Sequence, residues 1–274
     1  MKKLILPVLA VFSLGTASAQ FNLGVSLGYG FGSPGHVLGT NTNSSGSFSE
    51  KNIYGTLGSG LQANLTPAYM FGEHFGVELG LNGFFGSKVT IDEATTSAGN
   101  YKHTQGSSQF RISPAIVVKS GGEKLSVYAR GGFVLPLLGT VKSEINDATT
   151  PNVTTVMELK TTGKVSLGYT GAVGLNVHFG EKMAFFAELG ANSLRVKSKQ
   201  TDLTKYTVNG TDQLGNVPTY SKQTKYVDEL TSSSNNASVN PSGTNTGSAK
   251  EDLRQVANFS NFFIQVGIKF SLGK

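Results

Sequence analysis

The 274-residue sequence has no cysteine and no tryptophan. No stretch after the N-terminus comes near the roughly 18 continuous apolar residues of a membrane-spanning helix. Without cysteine the chain has no disulfide staple, so its stability must come from burial and hydrogen bonding. Without tryptophan, any aromatic belt at a membrane surface must be built from the 17 phenylalanines and 9 tyrosines. The basic residues form no run and have no aromatic stripe beside them, which gives nucleic-acid binding no footing.

The N-terminus does carry a signal. Lys2 and Lys3 precede an apolar run over 4–14, and Ala17-Ser18-Ala19 stands before Gln20. This reads as a secretory signal peptide over residues 1–19, with a mature chain over 20–274. Removing Lys2 and Lys3 from the 23 basic residues leaves 21 against 17 acidic ones, a mild excess that favours no class of partner.

The mature chain opens on FNLGVSLGYGFG (21–32), in which Phe21, Leu23, Val25, Leu27, Tyr29 and Phe31 alternate with small or polar residues. A period of two gives a strand two unlike faces. Seven later segments repeat the pattern, over 57–71, 75–87, 108–119, 124–138, 164–179, 183–196 and 259–272. The connections alternate strictly between long (33–55, 88–107, 139–163 and 197–258) and short. Pro67 falls inside the second segment, where a proline removes a ladder donor and marks a possible bulge. The fourth long connection holds TSSSNNASVNPSGTNTGSA (231–249), whose composition predicts disorder.

Alternation alone does not say which face points outward. A soluble eight-stranded barrel alternates too, with its apolar side inward and Lys, Glu and Thr outside. Here the polar face is mostly Gly, Ser, Asn and Ala, suited to the cramped interior of eight strands. The apolar face gathers aromatics near both strand ends: Tyr29, Phe31, Phe85 and Phe110 at one, Tyr69, Phe75, Phe179, Phe185 and Phe270 at the other. The reading is all-β: an eight-stranded antiparallel up-and-down transmembrane barrel. Four long extracellular loops, three short periplasmic turns and periplasmic termini complete it.

The last segment sharpens this. Gln265, Gly267, Phe270 and Leu272 resemble the terminal strand signal of outer-membrane barrels, although Gly273-Lys274 follow where that pattern ends on an aromatic. With the eight strands, the mature chain resembles the small barrels of the outer-membrane protein A and X type, without the peptidoglycan-binding domain of the former. The resemblance implies location in the cell outer membrane, contact with its lipid and lipopolysaccharide, and insertion by the barrel assembly machinery. A monomer is expected, with no cofactor.

Chemistry-bearing residues are few. Glu78, Arg111, Arg130 and Glu188 fall on the polar face within strands and are expected to form one ion-pair network that plugs the lumen. The alternative role for them is a gate or proton path. His36, His74, His103 and His178 have no metal-ligand spacing. His36 and His103 lie in long connections, where the lipid A-modifying barrel enzymes place their residues, but no catalytic or metal set emerges. Ser120-Gly121-Gly122-Glu123-Lys124 lacks the ending and the following helix of a phosphate loop and reads as a turn. The expected function is non-catalytic, structural or surface-binding through the long loops toward an unidentified extracellular ligand. A narrow channel is the alternative, and a lipid A-modifying enzyme a more remote one.

Overall fold

The computed structural model describes residues 20–33, 35–180 and 182–272; the signal-peptide segment and Gly273-Lys274 lie outside the described residues. Eight antiparallel strands close into a ring: β1 (Gln20–Gly32), β2 (Gly60–Met70), β3 (Phe75–Thr95), β4 (Asn100–Lys119), β5 (Leu125–Thr150), β6 (Gly168–His178), β7 (Met183–Ser193) and β8 (Asn261–Ser271). Each strand pairs with the next, and β8 returns to β1 with Leu27 opposite Val266. Closure satisfies every edge, as a membrane-embedded sheet requires.

The two faces divide as the alternation implies. Along β1, Val25, Leu27 and Phe31 are exposed on the outside, Leu27 at 69%, while Gly24 and Ser26 are buried within. Leu61, Ile116, Val127, Phe185, Leu189 and Val266 continue the same exposed apolar surface around the ring. Aromatic side chains bound this band: Tyr29 packs edge-on to Phe31 and Tyr169 lies against Phe133 toward the long connections, while Tyr69 meets Phe71 and Phe179 stacks on Phe185 toward the short turns. From Phe21 to Phe31 the strand advances about 33 Å, and at the tilt of about 40° usual in such barrels this spans an apolar band about 25 Å tall.

Prolines mark local departures from the ladder. Pro67 causes no bulge: Leu65 opposes Leu81 and Ala68 opposes Glu78 in one unbroken register, with pairing interrupted between them. Pro114 interrupts the β4–β5 ladder in the same way. A register shift does occur in β5, where Leu137 is the extra residue beside Pro136.

The largest difference from the sequence reading lies in the long connections. Residues expected as loops over 88–107 and 139–163 continue the barrel wall: β3 runs to Thr95, β4 begins at Asn100 and β5 extends over 26 residues. A membrane strand needs only about 9–11 residues, so these stand well clear of the band. Once outside lipid the outward face becomes polar and the alternation fades, although β-branched residues such as Val89, Ile91, Val141 and Ile145 persist. The strands Val153–Gly163 and Arg195–Val208 pair with each other, and the first also pairs with β5, widening this extension. A hairpin of Val37–Asn43 and Ser49–Tyr54 leans on β3.

The segment 231–249, expected to be disordered, is folded by its asparagines. The Asn235 side-chain amide donates to the carbonyls of Asn245 (3.0 Å) and Ala249 (2.9 Å), and its Oδ1 accepts from the Asn245 backbone N–H at 2.8 Å. Asn236, buried, donates to the Glu251 carbonyl at 2.7 Å, and Asn240 accepts from the Gly243 backbone N–H. Asparagine bonds its own neighbourhood of backbone, so a composition poor in apolar residues still yields a compact loop.

Candidate functional site

The barrel interior is filled in layers. Toward the middle of the barrel, Glu188 of β7 is the hub of a buried polar cluster. Arg130 of β5 donates to it twice, Nε to Oε2 at 2.9 Å and Nη2 to Oε1 at 2.7 Å. Tyr128 donates its hydroxyl to Oε2 at 2.9 Å, and Gln265 its amide to Oε1 at 2.7 Å. The Arg130 Nη1 lies 3.4 Å from Glu78 Oε1, an ionic contact without hydrogen-bond alignment, so that oxygen has no hydrogen-bond partner. Lys269 of β8 rests its ammonium 3.7 Å from the Tyr128 ring centroid, a cation–π contact.

Three of the four expected network residues therefore meet: Glu78, Arg130 and Glu188. The fourth, Arg111, stands apart, and the register explains why. Glu78 opposes Ala115 and Asn82 opposes Arg111, so Arg111 sits four residues further along the wall, about 13 Å at the usual strand rise. Its Nε donates to Gln109 Oε1 at 2.7 Å and its guanidinium lies 4.0 Å over the Phe84 ring. At 1% exposure it is the largest fully buried side chain among the described residues.

Tyr128, Gln265 and Lys269 complete the cluster, although the sequence reading did not group them with it. The signal that would have found them is phase, since each alternates in step with a polar-face residue. The same phase places aromatic rings inside: Phe84, Phe186 and Phe263 are all buried. Glycines on neighbouring strands make room for rings, because a Cβ at Gly174 would collide with the Tyr128 ring and one at Gly190 with Phe263.

The residues of the terminal strand pattern also have packing roles. Gln265 joins Glu188, and a Cβ at Gly267 would strike the Val25 carbonyl and the Phe186 ring. Phe270 pairs across to Leu23 and Met183, and the Leu272 backbone N–H donates to the Phe21 carbonyl at 2.8 Å.

Beyond Arg111 the lumen is closed by an apolar plug of Leu57, Phe84, Val134, Leu194, Val196 and Phe259, backed by Val89, Ile91, Val141 and Ala257. On its far side, within the extended wall, lies a cavity of about 280 Å³. Leu57, Ile91, Val141, Val196 and Phe259 line it, with Gln105 and Gln109 among its polar groups. It reaches Pro136–Gly139, where β5 has left β6 at Val134 and has not yet met Val153–Gly163 at Thr140.

The histidines do not assemble. His36 is exposed at the rim of this cavity, and His103 lies in β4 opposite Asp92, with Nε2 3.4 Å from the Gln105 amide. His74 and His178 sit at the short-turn end, bonded to the Lys119 carbonyl and to Ser126. Among the described residues, no three His, Cys, Asp or Glu side chains cluster as a metal site.

Comparison with protein families agrees with this architecture. Residues 4–213 match the family described as outer membrane protein beta-barrel domain. No curated protein matches. Among solved structures, similarity extends to the outer membrane protein OprG from Pseudomonas aeruginosa at 13% identity and a TM-score of 0.48, over 95% of this chain and 99% of that one. CarO of Acinetobacter baumannii aligns at 12% identity and a TM-score of 0.33, over 91% of this chain and 96% of that one.

Proposed function

Because the chain belongs to the outer membrane protein β-barrel domain family, and so resides in the outer membrane, we propose that it is a non-catalytic surface receptor. Its site is the cavity at the long-connection end, which faces outside the cell, and its ligand is a small, largely apolar molecule. The short turns and both termini then lie on the periplasmic side, following export through cleavage of residues 1–19 and insertion by the barrel assembly machinery. The mature protein works as a monomer among outer-membrane lipids and lipopolysaccharide.

One observation carries this reading: the wall continues beyond the apolar band as hydrogen-bonded sheet and borders an open cavity of about 280 Å³ in which aliphatic side chains such as Leu57, Ile91 and Val196 alternate with polar ones. Ligand sites are typically concave, pre-formed and apolar, with a few polar groups that fix orientation. Gln105, Gln109 and the rim residue His36 are among those groups, together with Thr161, Lys164 and Lys197. Loops serving only as spacers have no need of such a scaffold.

The channel alternative finds less support. Phe84 and Leu194 are wholly buried in the plug, and the Glu188 cluster fills the layer below it. Eight strands enclose only enough space for side chains.

The test is ligand-observed saturation-transfer NMR on the protein in lipid nanodiscs, using small aliphatic and aromatic alcohols as probes. Val196→Phe, which fills the cavity, is compared with wild type after both show heat-modifiable gel mobility. Transfer to wild type that disappears in the variant is the expected result. Equal transfer to both, or none to wild type, contradicts the proposal.

A further inference from the structure

The charged layer of the lumen does not balance. Glu78 and Glu188 carry two negative charges, and Arg130 and Lys269 stand beside them with two positive ones. Arg111 is left over. It is 1% exposed, and among the described residues it has no carboxylate partner and its one hydrogen-bond acceptor is the neutral Gln109 amide. A buried guanidinium without a counter-charge is costly, because the field of an ion in a low-dielectric interior is not screened. The Phe84 ring face returns only part of that cost.

Beside Arg111, on the short-turn side of the plug, the lumen holds a second and much smaller cavity of about 30 Å³. Arg111, Arg130, Gln62, Asn82, Asn192 and Thr170 are among its lining residues, and no Asp or Glu is. Two donors of these lining residues, Arg111 Nη2 and Gln62 Nε2, are fully buried and find no acceptor among the described residues. Asn82 Oδ1 is the one acceptor there in the same position. Unpaired buried donors are rare and call for a partner.

We propose that this cavity binds one small monovalent anion of the halide class, chloride in the cell, as the counter-ion of Arg111. Arg111 Nη2 and Gln62 Nε2 donate to it. The space is enough for a single ion with one water, since a water needs roughly 10–15 Å³ measured this way, and that water serves Asn82. The ion neutralises the lumen and fixes Arg111 against Phe84, at the boundary between the polar layer and the apolar plug. It is a structural ion of the barrel, in a different cavity from the ligand site on the plug's other side, the two being joined through Gln109, which accepts from Arg111 and lines the ligand cavity.

Crystals grown or refolded in bromide test this directly through anomalous scattering. An anomalous peak beside Arg111 and Gln62 is the expected result, and a bromide-loaded crystal with an ordered lumen but no peak there overturns the proposal. In solution, thermal or urea unfolding in detergent is followed as chloride replaces methanesulfonate at constant ionic strength. For wild type, each tenfold rise in chloride above the dissociation constant raises the folding equilibrium constant about tenfold. Arg111→Met, of similar length and uncharged, loses that dependence, and Gln62→Leu, which keeps the guanidinium, weakens it. A wild-type midpoint that does not respond to chloride contradicts the proposal whether or not Arg111→Met folds.

Discussion

Arg130 and Glu188 face each other across the barrel interior in a two-pronged ion pair, with nitrogen–oxygen distances of 2.9 and 2.7 Å. They come from β5 and β7, which are not neighbours in the wall, so the pair braces the lumen across β6. Breaking a buried pair by removing one partner costs about 3–5 kcal/mol, because the other charge is left buried. Arg130→Ala is therefore expected to lower stability by about 3 kcal/mol, read as the urea midpoint of reversible unfolding from detergent. An unchanged midpoint counts against the bracing role. Arg130→Met combined with Glu188→Leu recovers only part of the loss, because Glu78 loses its arginine contact and the Tyr128 hydroxyl and Gln265 amide lose their acceptor.

The outer face makes a different demand. Leu79 is exposed on β3, within the band that meets lipid. Leu79→Arg is expected to cost about 2–4 kcal/mol near the midplane, measured by reversible folding into lipid vesicles. Lys102→Leu, on the same wall's exposed extension, should change stability by less than about 0.5 kcal/mol.

Gly267 separates packing from recognition in the terminal strand. A side chain there meets the Val25 carbonyl and the Phe186 ring, and overpacking costs about 1–3 kcal/mol. Gly267→Val is expected to refold poorly into detergent with no assembly machinery present. Normal refolding in vitro with failed insertion in cells would instead assign Gly267 to recognition alone.

Acid should loosen the fourth long connection. Arg254 Nε donates to Asp228 Oδ1 at 2.6 Å, Nη2 to Oδ2 at 3.1 Å, and Nη1 ties the arginine to the Ser198 carbonyl at 2.7 Å. The hydrogen bonds from Arg254, and then its charge, hold the Asp228 carboxyl below its ordinary value. A depressed carboxyl favours the folded loop above the ordinary pKa of about 3.9 and loses that contribution as pH falls through the folded value. Hydrogen exchange over 223–258 should therefore accelerate selectively as pH drops below about 4, once corrected for intrinsic rates. Asp228→Asn should remove most of that pH dependence.

Much of this fold was legible because lipid imposes a strict rule on one face. Alternation put Leu27, Leu61 and Ile116 on one face and Ser26, Glu188 and Gln265 on the other, and the small residues of the second face turned it inward. Past the band the rule lapses, and water on both sides of the wall hides strands such as Val153–Gly163. Register was not legible either: Arg111 and Glu78 share a face, and only the pairing of Asn82 with Arg111 shows them to be a full layer apart. The interior rings Phe84, Phe186 and Phe263 escaped notice because aromatics on an alternating strand invite assignment to lipid. Asparagine's capacity to order 231–249 depends on which carbonyls come within reach, which composition does not record.

The absence of cysteine allows single spin labels to be placed at will on an otherwise native chain, and this gives the most direct measurement. Labels at Val25, Leu27, Ile116 and Val266, in protein reconstituted into liposomes, are predicted to be readily relaxed by oxygen and protected from a water-soluble nickel chelate. A label at Lys102 is predicted to show the reverse. Nickel accessibility at Leu27 and Ile116 equal to that at Lys102, or protection of those sites from both reagents as in a closed protein core, would contradict an apolar face turned to lipid.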